Sequence, residues 1–272
     1  MLPLQRIVDA DGEEKSVLAI LVEKALTADV DSVGVVVWPG DEDRYAEVLG
    51  RHRTQVRFIP QAHALGYGYA IYSARDFLKA DPFLHLVGDH LYVSTAAKGT
   101  TGQLLEIAQA EDCAVSAVQP TREHLLPRYG TVGGRRTPGR KDIYIVETVV
   151  EKPTPTEAEQ HLFVPGMRAG YYLCFFGMHV LTPQVLDILG EMHAAAPDAR
   201  LTLSAALAEL AHRGQYLAWE TPDRRYDIGA PYGVLMAQLA LALAGRDRNE
   251  VLSRMVELLV DKEIAPSSGE AQ

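Results

Sequence analysis

Short apolar runs that alternate with helical patterns most constrain the fold of this 272-residue chain. The clearest run is residues 33–38 (VGVVVW), a continuous stretch typical of a strand that is covered on both faces. Further strands are predicted at 56–59, 83–87 and 113–118, with helices at 16–28, 66–79 and 94–110. Strands separated by helices need crossover connections, so the sequence predicts an α/β fold with a doubly wound, mostly parallel sheet. In such sheets ligands bind at the carboxyl ends of the strands.

The second half of the chain continues this pattern with longer strands. Residues 121–140 are rich in Gly, Pro and Arg and predict a loop or a flexible hairpin. Strands are predicted at 142–150, 171–180 and 216–219, and helices at 183–195, 201–213, 231–244 and 249–261. Because no repeat or linker divides the chain, we expect a single domain over residues 1–261 and a disordered tail at 262–272.

The charge balance and the cysteines exclude several classes of function. The chain has 26 Lys and Arg against 36 Asp and Glu, for a net charge of −10. An acidic chain without a basic stripe is a poor candidate for binding nucleic acid, so any phosphate should be held locally. The longest apolar stretch, 234–244, is too short to span a bilayer, and we expect a cytoplasmic protein with no membrane partner. Cys113 and Cys174 lie in apolar runs and are predicted to be buried strand residues rather than a disulfide or metal pair.

Two aspartates stand where a metal site can form. Asp89 follows the apolar run at 83–87 and Gly88, so its carboxylate is expected at the mouth of the sheet. Asp227 opens the segment Asp-Ile-Gly at 227–229. Mg²⁺ is commonly held by one or two carboxylates together with substrate phosphates, so the two aspartates are a candidate pair. Each is also compatible with a turn residue that caps the next segment, and the spacing does not show that they meet.

Residues 61–70 (QAHALGYGYA) combine an amide side chain with two glycines at the start of a predicted helix. The amide of Gln61 offers both a donor and an acceptor, which matches the edge of uracil or thymine. Gly66 permits close approach of the backbone, and a helix N-terminus favours nearby phosphate. The alternative is an ordinary glycine-rich helix entrance.

The segment Glu-Lys-Pro at 151–153 ends the strand predicted at 142–150, and Gly130 follows Tyr129 in the glycine-rich region. Successive side chains on a strand point to opposite faces. Glu151 and Lys152 therefore reach one ligand only if that ligand lies across the end of the strand. The alternatives are a solvated strand end and a plain turn glycine.

Taken in order, these segments resemble the bacterial sugar-phosphate nucleotidyltransferases, most closely their UTP–glucose-1-phosphate uridylyltransferases. The matching segments are 1–4 (MLPL), 61–70, 88–89, 129–130, 151–153 and 227–229. The resemblance implies the nucleotide-diphospho-sugar transferase fold and a transfer from UTP to glucose 1-phosphate with release of pyrophosphate. dTTP is the nearest alternative to UTP, because one Gln can pair with either pyrimidine. The implied partners are a nucleoside triphosphate and a sugar 1-phosphate, and a homo-oligomer is among the expected assemblies.

The resemblance also implies a role for each candidate residue. Asp89 and Asp227 would hold Mg²⁺, Gln61 and Gly66 would bind the nucleoside, Gly130 and Glu151 would bind the sugar, and Lys152 would hold its phosphate. Asp89, Lys152 and Asp227 are thus the expected catalytic residues.

The chain departs from the family pattern in several places. Tyr69 stands where the family usually has His, Arg200 where it has Glu, and Ala205 where it has Asp, and the last two positions bear on the choice of sugar. In the family, a first strand and a Gly-rich loop with an Arg and a Lys precede the segment MLPL, which here begins at Met1. We therefore expect a sheet without its first strand and a chain that, as given, binds sugar phosphate but turns over little. The alternative function is a non-catalytic nucleotide-sugar binding or regulatory protein.

Overall fold

A computed structural model describes residues 2–264. The strands are β1 (Arg6–Val8), β2 (Glu14–Ser16), β3 (Val33–Val37), β4 (Val56–Pro60), β5 (Phe83–Leu86), β6 (His90–Val93), β7 (Ala114–Arg122), β8 (Gly130–Arg136), β9 (Ile143–Glu151), β10 (Tyr171–Leu181), β11 (Tyr216–Glu220) and β12 (Arg224–Asp227). The α-helices are α1 (Val17–Leu26), α2 (Glu42–Leu49), α3 (Tyr67–Ser73), α4 (Arg75–Leu78), α5 (Gly99–Glu111), α6 (Pro155–His161), α7 (Gln184–Ala195), α8 (Leu203–Arg213), α9 (Gly233–Ala244) and α10 (Arg248–Ile264).

The central sheet has six strands in the order β5-β10-β7-β11-β9-β8. Strands β5, β7 and β11 run in the same direction, but β10 lies antiparallel between β5 and β7, and β9 lies antiparallel beside β11. The predicted α/β class with a central sheet is confirmed. The expectation of a mostly parallel sheet is wrong for the hydrogen-bonded pairs of the six-stranded sheet, most of which are antiparallel. One reason is the short connection between β8 and β9, since a hairpin can join only antiparallel neighbours. The other is that β10 lies between β5 and β7 and runs opposite to both.

The apolar run at 33–38 forms β3, which pairs in parallel with β4 in a separate two-stranded sheet. Of the five residues in β3, Val37 alone is buried, and the following Trp38 is 51% exposed. The expectation of a strand covered on both faces is therefore not met. Within residues 2–264, β3 has no strand partner other than β4, so it lies outside the sheet that carries the main cores.

Two apolar cores cover the two faces of the six-stranded sheet, and β10 contributes to both. Leu173 and Phe175 belong to the core that includes α7 and α8. Phe176 and Met178 belong to the core that includes α1, α5 and α9. This division follows from the alternation of side chains along a strand. Both cysteines are buried, as predicted, and Cys174 lies in β10, whereas Cys113 lies just before β7 rather than in a strand. No helix in the described part of the chain is long and apolar enough to cross a membrane.

The glycine-rich segment 121–140, predicted as a loop or a flexible hairpin, contributes one strand of a hairpin. Its middle forms β8, which pairs along its length with β9. Strands β6 and β12 and helix α6 were also not predicted, although α6 has a clear start signal in the capping box formed by Thr154 and Glu157. Helix α10 continues to Ile264, so the first three residues of the predicted tail are helical, and residues 265–272 lie outside the described residues. The division into one domain and a tail stays a prediction.

Candidate active site

Asp89 and Asp227 lie together where β6 and β12 pair. His90 opens β6 and stands directly opposite Asp227, the last residue of β12. The backbone NH of Ile228 donates to the carbonyl oxygen of Asp89 at 3.0 Å, which ties the two strand ends together. One ligand atom from each of Asp89, His90 and Asp227 lies within 4.8 Å of the others. The structure therefore brings the two predicted carboxylates to one place and adds a histidine that the sequence did not single out.

A bulge in β10 and two hydrogen bonds to its backbone hold the segment that leads to Asp89. The pairing of β10 with β7 shifts between Phe175 and His179, and Gly177 within the shift has a φ of 82°. Its carbonyl oxygen accepts from the hydroxyl of Tyr92 at 2.6 Å and from the backbone NH of Val87 at 3.1 Å. A Cβ at Gly177 would lie 2.7 Å from the side chain of Val87, so glycine allows the contact. The bulge thus fixes the end of β5 just before Asp89.

Electrostatics favour a charged carboxylate at Asp89. Nδ1 of His90 is hydrogen-bonded to Oδ1 of Asp89 at 2.7 Å, and this hydrogen bond lowers the pKa of Asp89 against the opposing effect of burial. The Asp89 side chain is still 49% exposed. A carboxylate that is both ionised and open to solvent can accept a cation.

The predicted sugar-binding residues form a second group at the ends of β8 and β9. Gly130 and Glu151 are directly paired across these strands. Ser204, in the first turn of α8, donates a hydrogen bond from its hydroxyl to Oε2 of Glu151. A Cβ at Gly130 would lie 2.9 Å from that hydroxyl and 2.7 Å from the ring of Phe175, so this position requires glycine. Ser204 is 6% exposed and was missed from the sequence, because α8 is distant from Glu151 along the chain.

Lys152 adopts a left-handed backbone conformation with a φ of 51°. This conformation is unusual for a residue with a side chain and breaks the alternation that a strand would impose. As a result, Nζ of Lys152 lies 3.9 Å from Oε1 of Glu151, and both side chains are about half exposed at the same end of β9. The Glu and Lys side chains can therefore reach one ligand.

The predicted nucleoside-binding loop is joined by backbone hydrogen bonds to the segment before α8. The NH of Gly68 donates to the carbonyl oxygen of Leu201 at 2.9 Å, and the NH of Leu201 donates to the carbonyl oxygen of Leu65 at 2.7 Å. Gly66 has a φ of 98°, and a Cβ there would lie 2.6 Å from the Leu201 carbonyl oxygen. The side-chain amide of Gln61 donates to the backbone carbonyl of His63 at 2.7 Å. These contacts explain why glycines stand at Gly66 and Gly68 without reference to any ligand.

Tyr67, between these two glycines, connects the loop to β5. Tyr67 is 42% exposed, but its hydroxyl is hydrogen-bonded to Nε2 of His85 on β5. Burial raises the pKa of Tyr67 well above its ordinary value, and the nearby Tyr92, Asp89 and Glu151 raise it further. Through its hydrogen bond to His85, Tyr67 ties the loop to β5, and the sequence did not indicate this contact.

The positions that depart from the family pattern have different surroundings. The side chain of Arg200 packs on Gly66, where a Cβ would lie 2.8 Å from its Cγ, so this cation borders the loop. Tyr69 instead lies in an aromatic cluster with His63, Tyr72 and His193, with its ring centroid 5.2 Å from that of His193.

Known proteins resemble this chain in sequence and in fold. The family model described as "Nucleotidyl transferase" matches residues 6–242. A UTP–glucose-1-phosphate uridylyltransferase from Streptococcus pneumoniae is 29% identical over 191 residues, which is 70% of this chain and 60% of that protein. A protein of the same name from Pseudomonas aeruginosa is 24% identical over 246 residues, which is 82% of this chain and 83% of that protein. This chain thus spans less than two thirds of the S. pneumoniae relative.

A solved structure of UDP-glucose pyrophosphorylase from Acinetobacter baumannii superimposes with a TM-score of 0.73 at 20% identity, covering 94% of this chain and 91% of that one. At this identity the likeness shows the shared fold. Since the family model covers most of the chain, including all the segments that build the site, the chain belongs to the nucleotidyl transferase family.

Proposed function

We propose that this nucleotidyl transferase joins UTP to glucose 1-phosphate and releases pyrophosphate. The observation that carries the proposal is the meeting of Asp89 and Asp227, with ligand atoms within 4.8 Å of each other. In addition, the end of β9 presents a carboxylate and an ammonium group 3.9 Å apart. Binding of UTP and UDP-glucose is inferred from the names of the relatives and from Gln61.

The donor set at Asp89 and Asp227 fits Mg²⁺. This ion takes oxygen ligands and is usually held by one or two carboxylates while substrate phosphates and water complete its shell. The exposed carboxylate of Asp89 leaves room for such a shell. When bound, Mg²⁺ would neutralise charge on the triphosphate.

The transfer needs positioning and charge stabilisation more than covalent chemistry. An oxygen of the sugar phosphate attacks the α-phosphorus of UTP. The new P–O bond forms as the bond to the β-phosphate bridging oxygen breaks, and pyrophosphate leaves with that electron pair. Lys152 would hold the attacking phosphate, while Glu151, held by Ser204, would accept hydrogen bonds from the sugar hydroxyls. The backbone at Gly130 would border the sugar.

Selection of the base is assigned to Gln61 and Gly66. The Gln61 amide has both a donor and an acceptor, which suits the edge of a uracil or thymine. Gly66, at the N-terminus of α3, would let the nucleotide approach the backbone. UTP is proposed over dTTP because both curated relatives are named for UTP.

The test is pyrophosphate release from each of UTP, dTTP, ATP and GTP with glucose 1-phosphate and Mg²⁺. Asp89→Asn and Asp227→Asn should each lower kcat by about 10²–10³, the effect typical of losing one charge-stabilising group. Asp112→Asn is the matched control. Asp112 is exposed and precedes the start of β7, whereas Asp89 follows the end of β5, so the two residues lie at opposite edges of the sheet. Asp112 also has a left-handed conformation that Asn adopts.

Two further variants separate the substrates. Lys152→Met should raise KM for glucose 1-phosphate, whereas Gln61→Ala should raise KM for UTP and leave binding of the sugar phosphate nearly unchanged. Lys79→Met is the control for Lys152, since Lys79 is exposed and shares its positive φ. Equal use of ATP and UTP would overturn the assigned base selection. Binding of both substrates without pyrophosphate release would favour a non-catalytic nucleotide-sugar binding protein.

A further inference from the structure

Strand pairing places His90 beside the carboxylates of Asp89 and Asp227. In an antiparallel pair, directly opposite residues present their side chains on the same face, and His90 is directly opposite Asp227. Nδ1 of His90 is also 2.7 Å from Oδ1 of Asp89. The ring therefore lies against both carboxylates, and β6 rather than a loop sets its position.

The His90 side chain is 12% exposed, compared with 49% for that of Asp89. A nearly buried ring on a paired strand has little freedom to move away, so its nitrogen remains near the carboxylate oxygens. Ligands of one ion with bonds of about 2.0–2.2 Å lie roughly 3–4.3 Å from one another. The three candidate ligand atoms lie within 4.8 Å of one another, which is close to this range.

We propose that His90 is a third protein ligand of the metal held by Asp89 and Asp227, and that the site binds Co²⁺ in preference to Mg²⁺. This inference rests on the proposed function for the location of the metal. Mg²⁺ prefers oxygen ligands and keeps most of its water, whereas imidazole nitrogen suits transition metals. A site with two oxygens and one imidazole nitrogen therefore discriminates against Mg²⁺ more strongly than a site with two carboxylates alone.

The competing role for His90 is positioning, in which it donates to Asp89 without touching the metal. Pulsed electron paramagnetic resonance of bound Mn²⁺ separates the two roles, because nitrogen coupling of coordinated imidazole requires a direct bond. The sample is the full chain with Mn²⁺ and UTP and without sugar phosphate, so that no turnover occurs. Replacing all histidines by ¹⁵N-histidine changes the coupling without changing the protein, which keeps the test valid if a variant does not fold.

The expected result is a histidine nitrogen coupling that changes on ¹⁵N labelling and is lost in His90→Gln. His124→Gln, at an exposed histidine on the 3₁₀ turn before β8, should retain it. The ratio of Co²⁺ to Mg²⁺ affinity, measured by calorimetry, should fall at least about tenfold in His90→Gln and stay unchanged in His124→Gln.

The phosphorus coupling from UTP in the same spectra distinguishes this inference from the proposed function. Phosphorus coupling without nitrogen coupling would overturn the role of His90 and leave the proposed metal–triphosphate contact intact. Nitrogen coupling without phosphorus coupling would support His90 as a ligand and contradict that contact. Absence of both couplings would overturn both proposals.

Discussion

The guanidinium carbon of Arg225 lies 3.8 Å from the centroid of the Tyr129 ring. Arg225 stands two residues before Asp227 on β12, and Tyr129 directly precedes Gly130, so this stack joins the metal side of the site to the sugar side. The same guanidinium donates to the backbone carbonyl of Phe175, whose ring borders Gly130. A planar cation that stacks and donates at once is specific to arginine.

We predict that Arg225→Lys raises KM for the sugar phosphate about five- to thirtyfold, since cation–π contacts of this kind contribute about 1–2 kcal/mol. KM for UTP should change less, because Gln61 and Gly66 lie in a different segment. Steady-state kinetics with each substrate varied in turn will measure the split. Arg224→Lys, at the exposed neighbouring position, should behave as the parent protein. An equal effect on both KM values would argue against a role confined to the sugar side.

Ser204→Ala should weaken binding of glucose 1-phosphate by about tenfold, because the variant removes a hydrogen bond to a carboxylate, typically about 1.5–3 kcal/mol. The reason is orientation: without Ser204, the Glu151 side chain can turn toward solvent. Calorimetric titration with glucose 1-phosphate measures the change. Ser253→Ala is the control, since its hydroxyl bonds a backbone carbonyl on the exposed face of α10. Unchanged affinity would show that Glu151 is held by other contacts.

Gly233→Ala should lower the affinity for Mn²⁺ and destabilise the protein by about 1–3 kcal/mol or more, as expected for overpacking. A Cβ at Gly233 would lie 1.9 Å from the carbonyl oxygen of Asp227, so the turn that carries this carboxylate must move. Urea denaturation and Mn²⁺ titration measure the two effects. Gly102→Ala, inside α5, where a Cβ would lie 3.2 Å from Cβ of Lys98, should be close to neutral. Retained Mn²⁺ affinity in Gly233→Ala would show that Asp227 is not a ligand.

The stability of the fold should fall as the pH is lowered from about 6.5 to about 4, in part because of His85. Burial lowers the pKa of His85 from 6.5 to about 4, so in this window the unfolded state binds the proton more readily than the folded state. Protonation of His85 in the unfolded chain would then lower the free energy of unfolding by about 3 kcal/mol. The buried ring of His179, stacked 5.9 Å from His85, acts in the same direction, and Tyr67 completes the contacts of His85.

Urea midpoints at several pH values will measure this slope for the parent protein, His85→Gln and the exposed control His124→Gln. His85→Gln should be less stable at pH 7 and should show a shallower loss toward pH 4. Carboxylates that titrate at lower pH are common to all three proteins and cancel in the comparison. Parallel slopes in all three proteins would contradict the assignment to His85.

Several features of the molecule follow from local sequence. Apolar runs and helical periodicity located β3, β4, β5 and the long strands β9 and β10, because these patterns act within a few residues. The carboxylates at the ends of strands, the Glu-Lys pair and the glycines of the loop were also recognisable, since their residue types limit the chemistry they can perform. The alternation rule left open whether Glu151 and Lys152 reach one ligand, and the positive φ of Lys152 answers this.

The sequence by itself thus determined the α/β class, the order of most elements and the chemical types of the candidate site residues. Tertiary structure decided that β10 lies antiparallel inside the sheet, that the Gly177 bulge fixes the end of β5, and that His90 stands opposite Asp227. It also placed Ser204 on Glu151 and Arg225 on Tyr129. The physical reason is that each of these contacts joins segments far apart in the chain. Their register depends on how strands pair and cores pack, which no local pattern of residues specifies.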